Sequence, residues 1–598
     1  MPTFPPRFTG PRPLVSLLGF ATAFAFARLV SAAEYYVAPM GDDSNPGTQD
    51  QPFASLQKTQ DVVQPGDTVW IRGGTYSIVT PANSGAGIAL TKSGTSDTMR
   101  IKYWAYQGET PVFDFSMLKI STTGYTHGIV VSGSWVHLKG LEIASVPMNT
   151  FSNNGISASG SNNVFELLNM HHNNGNGIFI NGGNGGNLIL NCDAHDNYDP
   201  TSSQGDGQNA DGFGVHYQKS GPSTVVRGCR AWWNSDDGYD LINQEVPVTI
   251  ENSWAMGNGY IDSGTARPKD GNGNGFKAGS SKTGVRHTIQ NCLAWGNVAT
   301  GFYANHSSGG NDWFNNTSYK NGTQYNMLAS DPNDSSTTII LMGDKVHRMR
   351  NNIGYPNKNT NMDGVDTMFN TWDLSITPAD ADFVSVSDMG FMGPRNADGS
   401  LPNIDFMQLS AQSRMIDKGT DVGLPYAGAA PDLGCYETGL PSGSSGGTTG
   451  TGGTTDAGGT AAGGAAAGGT GVGGNPGSAG AALGGGAGAK GNATAGVGGG
   501  GASGSSGAPS GTGGSSAGAD TTSGAAGGST ATSSGGAPTQ AAGAPGSSGS
   551  GGSATNGSSD TGGCACRTAP RDHEAFGVVI GLALAGFGLR RRRVSRVS

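Results

Sequence analysis

Charge is the first thing this sequence has little of. Only 13 % of its 598 residues are Asp, Glu, Lys or Arg, about half the ~25 % of a typical soluble chain. The formal net charge of −10 understates the acidity of the body, because Arg567, Arg571, Arg590 to Arg593 and Arg596 crowd into the tail. That balance argues against a nucleic-acid partner. Aromatic residues are absent from 441–563, where Gly, Ser, Ala and Thr dominate and Leu483 is the single leucine. Such a stretch cannot bury a core and is expected to be a disordered linker. Between the ends and this linker lies a body over 34–440, rich in Asn, Gly, aromatic and β-branched residues, enough for one large domain.

Long apolar runs are missing as well. The run Leu14 to Ala27, preceded by Arg7 and Arg12 and followed by Ser31-Ala32-Ala33, has the layout of a secretory signal over 1–33, cleaved near Glu34. Near the other end, Cys564 and Cys566 precede the run Ala575 to Leu589 and four consecutive arginines. That run is shorter than the roughly 17 to 25 residues of a membrane span, although its positive flank suits a stop on the cytoplasmic side. The two tail cysteines have no His or further Cys nearby to complete a metal site.

This arrangement over 564–598 resembles the sorting signal of myxobacterial surface proteins: a Cys motif, a short hydrophobic helix and an Arg cluster. The resemblance implies a protein displayed on or released from the cell surface, its C-terminal segment engaging membrane or sorting machinery. A linker of about 120 residues would give it a reach on the order of 60 Å. A monomer is expected.

Within the body a repeat is visible. LNMHHNN (168–174), NCDAHDN (191–197), GCRAWWN (228–234), NSWAMGN (252–258), NCLAWGN (291–297) and NNTSYKN (315–321) align on their closing Asn. Taken at Asn174, Asn197, Asn234, Asn258, Asn297 and Asn321, the intervals are 23, 37, 24, 39 and 24. Short alternating strands follow, entered through Gly at 177, 212, 238, 275 and 301. A period near 24, three short strands per turn and an Asn at one bend fit an all-β, right-handed parallel β-helix solenoid, in which stacked amides satisfy turn backbone. The Leu framework of a leucine-rich repeat is lacking, and propeller blades are longer.

Stacking converts the alignment into chemistry. Equivalent residues on neighbouring rungs should lie about 4.8 Å apart. Asp211 and Asp237 each precede a strand-opening Gly, and Asp236 and Asp240 surround the same point. Four carboxylates on two rungs repel unless a cation lies among them, and a site without sulfur or imidazole suits Ca²⁺. One rung on, Lys277 takes the position of Asp240, while Phe276 aligns with Phe213, Tyr239 and Phe302 as the inward column. Lys277 should therefore point outward beside the ion, where its charged form is disfavoured and a neutral amine becomes available as a base. The extra loops at 198–210 and 259–273 should border the same groove. His171, His172, His195 and His216 make no recognised ligand set and read as exposed turn residues. Cys192 and Cys229 share a column and could be a disulfide or stacked buried thiols.

The combination ADGFGVHY (210–217), NSDDGYDLIN (234–243) and GNGNGFKAGS (271–280) resembles the family 9 polysaccharide lyases, pectate lyases with a right-handed parallel β-helix. The opening YYVAPMGDDSNPGTQDQPFASLQ (35–57) with PGDTVWIRGGTY (65–76) is similar to the start of such domains, and MIDKGTDVG with APDLGCYE (415–437) to their last rung. The resemblance implies Asp211, Asp236, Asp237 and Asp240 as Ca²⁺ ligands and Lys277 as the Brønsted base. It implies β-elimination on an acidic polysaccharide, pectate or polygalacturonate. Two alternatives stay open: a polygalacturonase-type hydrolase, which would need a protonated carboxyl that Asp residues gathered on a cation do not offer, and a non-catalytic calcium-binding surface adhesin, which would have no use for Lys277.

Overall fold

The computed structural model describes residue 1 and residues 32–261 and 264–440. The linker over 441–563, the tail over 564–598 and nearly all of the signal segment expected over 1–33 lie outside the described residues. Among those described, no helix is long and apolar enough to cross a membrane.

The strands form three parallel sheets of 12, 10 and 10 strands, and each sheet takes one strand from successive turns of the chain. The first sheet runs from Glu34–Val37 to Asp366–Met368, the second from Ala86–Leu90 to Asn359–Thr360, and the third from Gly74–Ser77 to Ile353–Tyr355. This is a parallel β-helix. Four 3-10 turns and one antiparallel hairpin, Ser330–Asp331 with Asp334–Thr338, complete the described elements.

Each coil has three bends, one after each strand. Between the first and third sheets a single residue with positive φ turns the chain, Asn191, Asn252, Asn291, Asn315 and Asn351 among them, with φ from 49° to 60°. Asn tolerates this left-handed region better than other side chains with a Cβ. After the third sheet the Asn side chains stack: Asn173, Asn197, Asn234, Asn258 and Asn297 each donate their amide to the Oδ1 of the next, at 2.8–3.0 Å, ending on Asn321. The first rung of this ladder is Asn173 rather than Asn174. Asn173 is fully buried, whereas Asn174 donates its amide to the Tyr198 carbonyl, so the first interval is 24 residues and matches the two intervals that carry no extra loop.

The interior is filled by one residue column per inward strand position. On the second sheet Phe213, Tyr239, Phe276, Phe302 and Tyr325 stack with ring centroids 4.6–5.1 Å apart and planes within 10° of parallel. Each such pair contributes about 0.5–1.5 kcal/mol beyond its burial. Cys192, Cys229 and Cys292 belong to another buried column, with the Cys192 main-chain N–H donating to Cys229 Sγ at 3.4 Å. All described cysteines are free, which decides between the two expectations in favour of thiols.

The closing segments do not make a last rung. Residues 415–437 contain no strand. With 383–409 they lie on the outer face of the third sheet, where Phe383, Phe391, Phe406, Leu409, Met415 and Leu433 bury Trp232, Trp254, Trp295 and Tyr319. Arg395 ties this cover to the coil. Its Nη2 lies 2.6 Å from Asp193 Oδ1 and donates to the Cys192 carbonyl at 2.9 Å, while Arg230 grips the other Asp193 oxygen at 2.7 Å.

Candidate functional site

The site grows out of a second amide ladder, at the bend leading into the second sheet. Asn154, Asn176, Asp211, Asp237 and Asn274 occupy equivalent places, each side chain accepting the main-chain N–H of the next. Asn176 N donates to Asn154 Oδ1, Asp211 N to Asn176 Oδ1, Asp237 N to Asp211 Oδ1 and Asn274 N to Asp237 Oδ1, at 2.8–3.1 Å. On two rungs an Asp has replaced the Asn. The acceptor is retained, but the NH₂ becomes a second acceptor oxygen. Two carboxylates are thereby stacked in a wall of amides, as the repeat spacing predicts for Asp211 and Asp237.

Asp236 and Asp240 converge on the same place. Asp240 pairs in register with Gly214 on one side and Lys277 on the other, and Lys277 with Tyr303. Since Tyr239 and Phe276 point inward, Asp240 and Lys277 face outward, as expected. Lys277 Nζ lies 2.8 Å from Asp237 Oδ2 and 3.1 Å from Asp240 Oδ2. The two long loops meet beside them: Asp270 N donates to the Asp206 carbonyl at 3.0 Å, and Asn272 N to Asp236 Oδ1 at 2.9 Å. Both loops thus border the acidic cluster, and the second holds one of its carboxylates in place.

All four carboxylates are at most 4 % exposed. Burial, and then repulsion from the neighbouring carboxylates, pushes Asp211 well above the usual carboxylate range, and Asp236 and Asp237 also lie above it for the same two reasons. Burial alone would favour the neutral amine of Lys277, yet the surrounding Asp237, Asp240, Asp236 and Asp211 outweigh it and hold the ammonium well above its ordinary range. In the metal-free protein the directions therefore reverse those expected around a bound cation. Four carboxylates share one ammonium, and the surplus negative charge is buried.

That surplus is what a hard divalent cation would neutralise. Asp211, Asp236 and Asp237 can each present an oxygen within 4.8 Å of the others, a donor set of the kind that Ca²⁺ takes. The residues present fit the ion.

Sequence reasoning missed His216. It is not an exposed turn residue: it lies on the strand Phe213–His216, is 8 % exposed, and its Nε2 stands 3.7 Å from Asp240 Oδ2. Burial pushes it down to about 4. The available signal was parity, since His216 is two residues from Gly214 and so shares the outward face with Asp240. His171 and His195 are partly buried and stacked on one another at 5.0 Å, on the third sheet and away from the groove.

Comparison with known proteins matches the family described as Pel9A-like, right handed beta helix region, over residues 35–361. Pectate lyase L of Dickeya dadantii (strain 3937) is 38 % identical over 407 residues, covering 67 % of this chain and 90 % of that protein. Pectate lyase L of Paenibacillus polymyxa (strain SC2) is 32 % identical over 422 residues, covering 67 % and 86 %. Among solved structures, the crystal structure of pectate lyase Pel9A superposes with a TM-score of 0.58 at 36 % identity, covering 68 % of this chain and 97 % of that one. A rhamnogalacturonan lyase superposes with a TM-score of 0.56 at 32 % identity, covering 64 % and 97 %.

Proposed function

Since the chain belongs to the Pel9A-like right-handed β-helix family, and is thereby a polysaccharide lyase, we propose that it is a calcium-dependent pectate lyase whose base is Lys277. The observation that carries the reading is the register of Asp240 with Lys277 on the outward face, beside two Asp residues built into an amide ladder. Asp211, Asp236, Asp237 and Asp240 would hold Ca²⁺, which would withdraw charge from a galacturonate carboxylate and so acidify its C5 proton. Membership of a lyase family sets the hydrolase reading aside, and the adhesin reading would leave Lys277 only its ion pairs with Asp237 and Asp240.

The chain's own residues perform the rest. Lys277 Nζ, as the neutral amine, takes the C5 proton; the C5–H electrons form the C4–C5 double bond, the C4–O bond breaks, and the leaving oxygen acquires a proton from solvent. No water is consumed. Neutralisation of the Asp charges removes the pull that keeps Lys277 protonated and leaves burial, which favours the neutral form. Tyr303, next in register on the same face, offers a ring to the polymer as it runs along the column.

A polymeric substrate too large to import is consistent with residues 1–33 acting as a secretory signal and 564–598 as a surface sorting segment. Cell fractionation, with sequencing of the mature N-terminus, tests both.

The decisive assay is ultraviolet absorbance of the unsaturated product from polygalacturonate, with Ca²⁺ or chelator, for the full chain and Lys277→Ala. A calcium-dependent rise lost in the variant supports the reading. Turnover of rhamnogalacturonan and not polygalacturonate would move the substrate, and calcium binding with no turnover of either would return the adhesin.

A further inference from the structure

Among the described residues, buried imidazole nitrogens without a hydrogen-bond partner occur at His216, His287 and His347. The last two use their other nitrogen to accept a main-chain N–H inside the coil wall. His216 differs: its free Nε2 faces Asp240 Oδ2 across 3.7 Å, beside the acidic cluster. Asp211, His216 and Asp240 can each present one ligand atom, all within 4.8 Å of one another. This triad overlaps the all-oxygen set of Asp211, Asp236 and Asp237, sharing Asp211.

We infer that His216, Asp211 and Asp240 form a second metal position, selective for a borderline divalent cation such as Co²⁺, Ni²⁺ or Zn²⁺. Donor chemistry decides the selectivity. One imidazole with two carboxylates suits these ions, whereas Ca²⁺ gains nothing from nitrogen and takes the oxygen-only set. The incoming cation competes with Lys277 for Asp240 Oδ2, 3.1 Å from the ammonium.

Both carboxylates of this triad, Asp211 and Asp240, also belong to the calcium set, so the two ions compete for the same ligands and a borderline metal acts as an inhibitor that calcium relieves. The metal position itself does not depend on the lyase reading. Its consequence for turnover does, and the test therefore measures binding.

The test is titration of the full chain with Co²⁺, followed by its visible absorption bands, in parallel with Ca²⁺ binding by calorimetry. Wild type should show Co²⁺ bands that saturating Ca²⁺ abolishes. His216→Gln should weaken Co²⁺ by at least about tenfold, a loss that even an outer partner of a metal ligand can cause, and keep its Ca²⁺ affinity. Asp236→Asn, which touches only the oxygen set, should do the reverse and keeps the test valid should His216→Gln misfold. Equal Co²⁺ binding by His216→Gln and wild type, or Co²⁺ bands indifferent to Ca²⁺, would overturn the assignment.

Discussion

Asp237 stands one rung beyond Asp211 in a ladder otherwise made of Asn, and its main-chain N–H donates to Asp211 Oδ1 at 3.1 Å. At these two rungs of a structural column an oxygen stands where an amide NH₂ would be. The exchange brings like charges together out of water, which is destabilising until a cation arrives.

Asp211→Asn should therefore separate stability from function. It restores the ladder and removes one of four crowded charges, so the metal-free protein should gain about 1 kcal/mol. Calcium affinity and lyase activity should fall together. Thermal unfolding in chelator, with calcium calorimetry, checks both; a variant less stable than wild type in chelator would refute the ladder account.

Lys277→Met should lower the rate of product formation by about 10²- to 10⁴-fold, the range that a positioned base supplies. Calcium should bind more tightly, because an ammonium 2.8 Å from Asp237 no longer competes. A lysine serving only to neutralise the carboxylates would predict tighter calcium with turnover preserved.

Much of this was legible beforehand. Asp211, Asp236, Asp237, Asp240 and Lys277 are related by a repeat whose rungs stack, so spacing in sequence becomes adjacency in space. His216 escaped because it adds to no column of similar residues. The C-terminal cover escaped for another reason: 383–437 has no period, and its partners on the third sheet look like core. Arg-Ala-Trp (230–232), Trp-Ala-Met (254–256) and Leu-Ala-Trp (293–295) carry the small residue inward and the large ones outward, a signature of a face awaiting a second layer.

That second layer hangs on Arg395. Truncation to Ala leaves Asp193 with Arg230 alone, takes the Arg395 donor from the Gly228 carbonyl, and leaves the Cys192 carbonyl with the Arg230 main-chain N–H. Breaking a buried pair of this kind costs about 3–5 kcal/mol, and the remaining Arg230 favours the lower end. Denaturant unfolding should show that loss in Arg395→Ala. The specific activity of folded protein should hold, since the groove lies on the second sheet and the cover on the third.

Acid should weaken the coil through its histidines. His287 Nδ1 accepts the Val248 N–H at 3.1 Å and His347 Nδ1 the Asn311 N–H at 2.9 Å, and each of these imidazoles replaces an Asn of the kind seen at Asn163, Asn187 and Asn311. Burial pushes His287 from 6.5 down to about 4 and His347 to about 3. The unfolded chain thus takes up protons below pH 6.5 while the folded one does not. Stability contributed by the neutral rings is complete above pH 6.5 and is lost as pH falls toward 4 and below, a loss of about 3 kcal/mol for His287. His287→Asn keeps the acceptor and removes the titration. Its unfolding free energy should match wild type at pH 7.5 and exceed it at pH 4.5. Parallel pH profiles for the two proteins would show that His287 is not the group that acid finds.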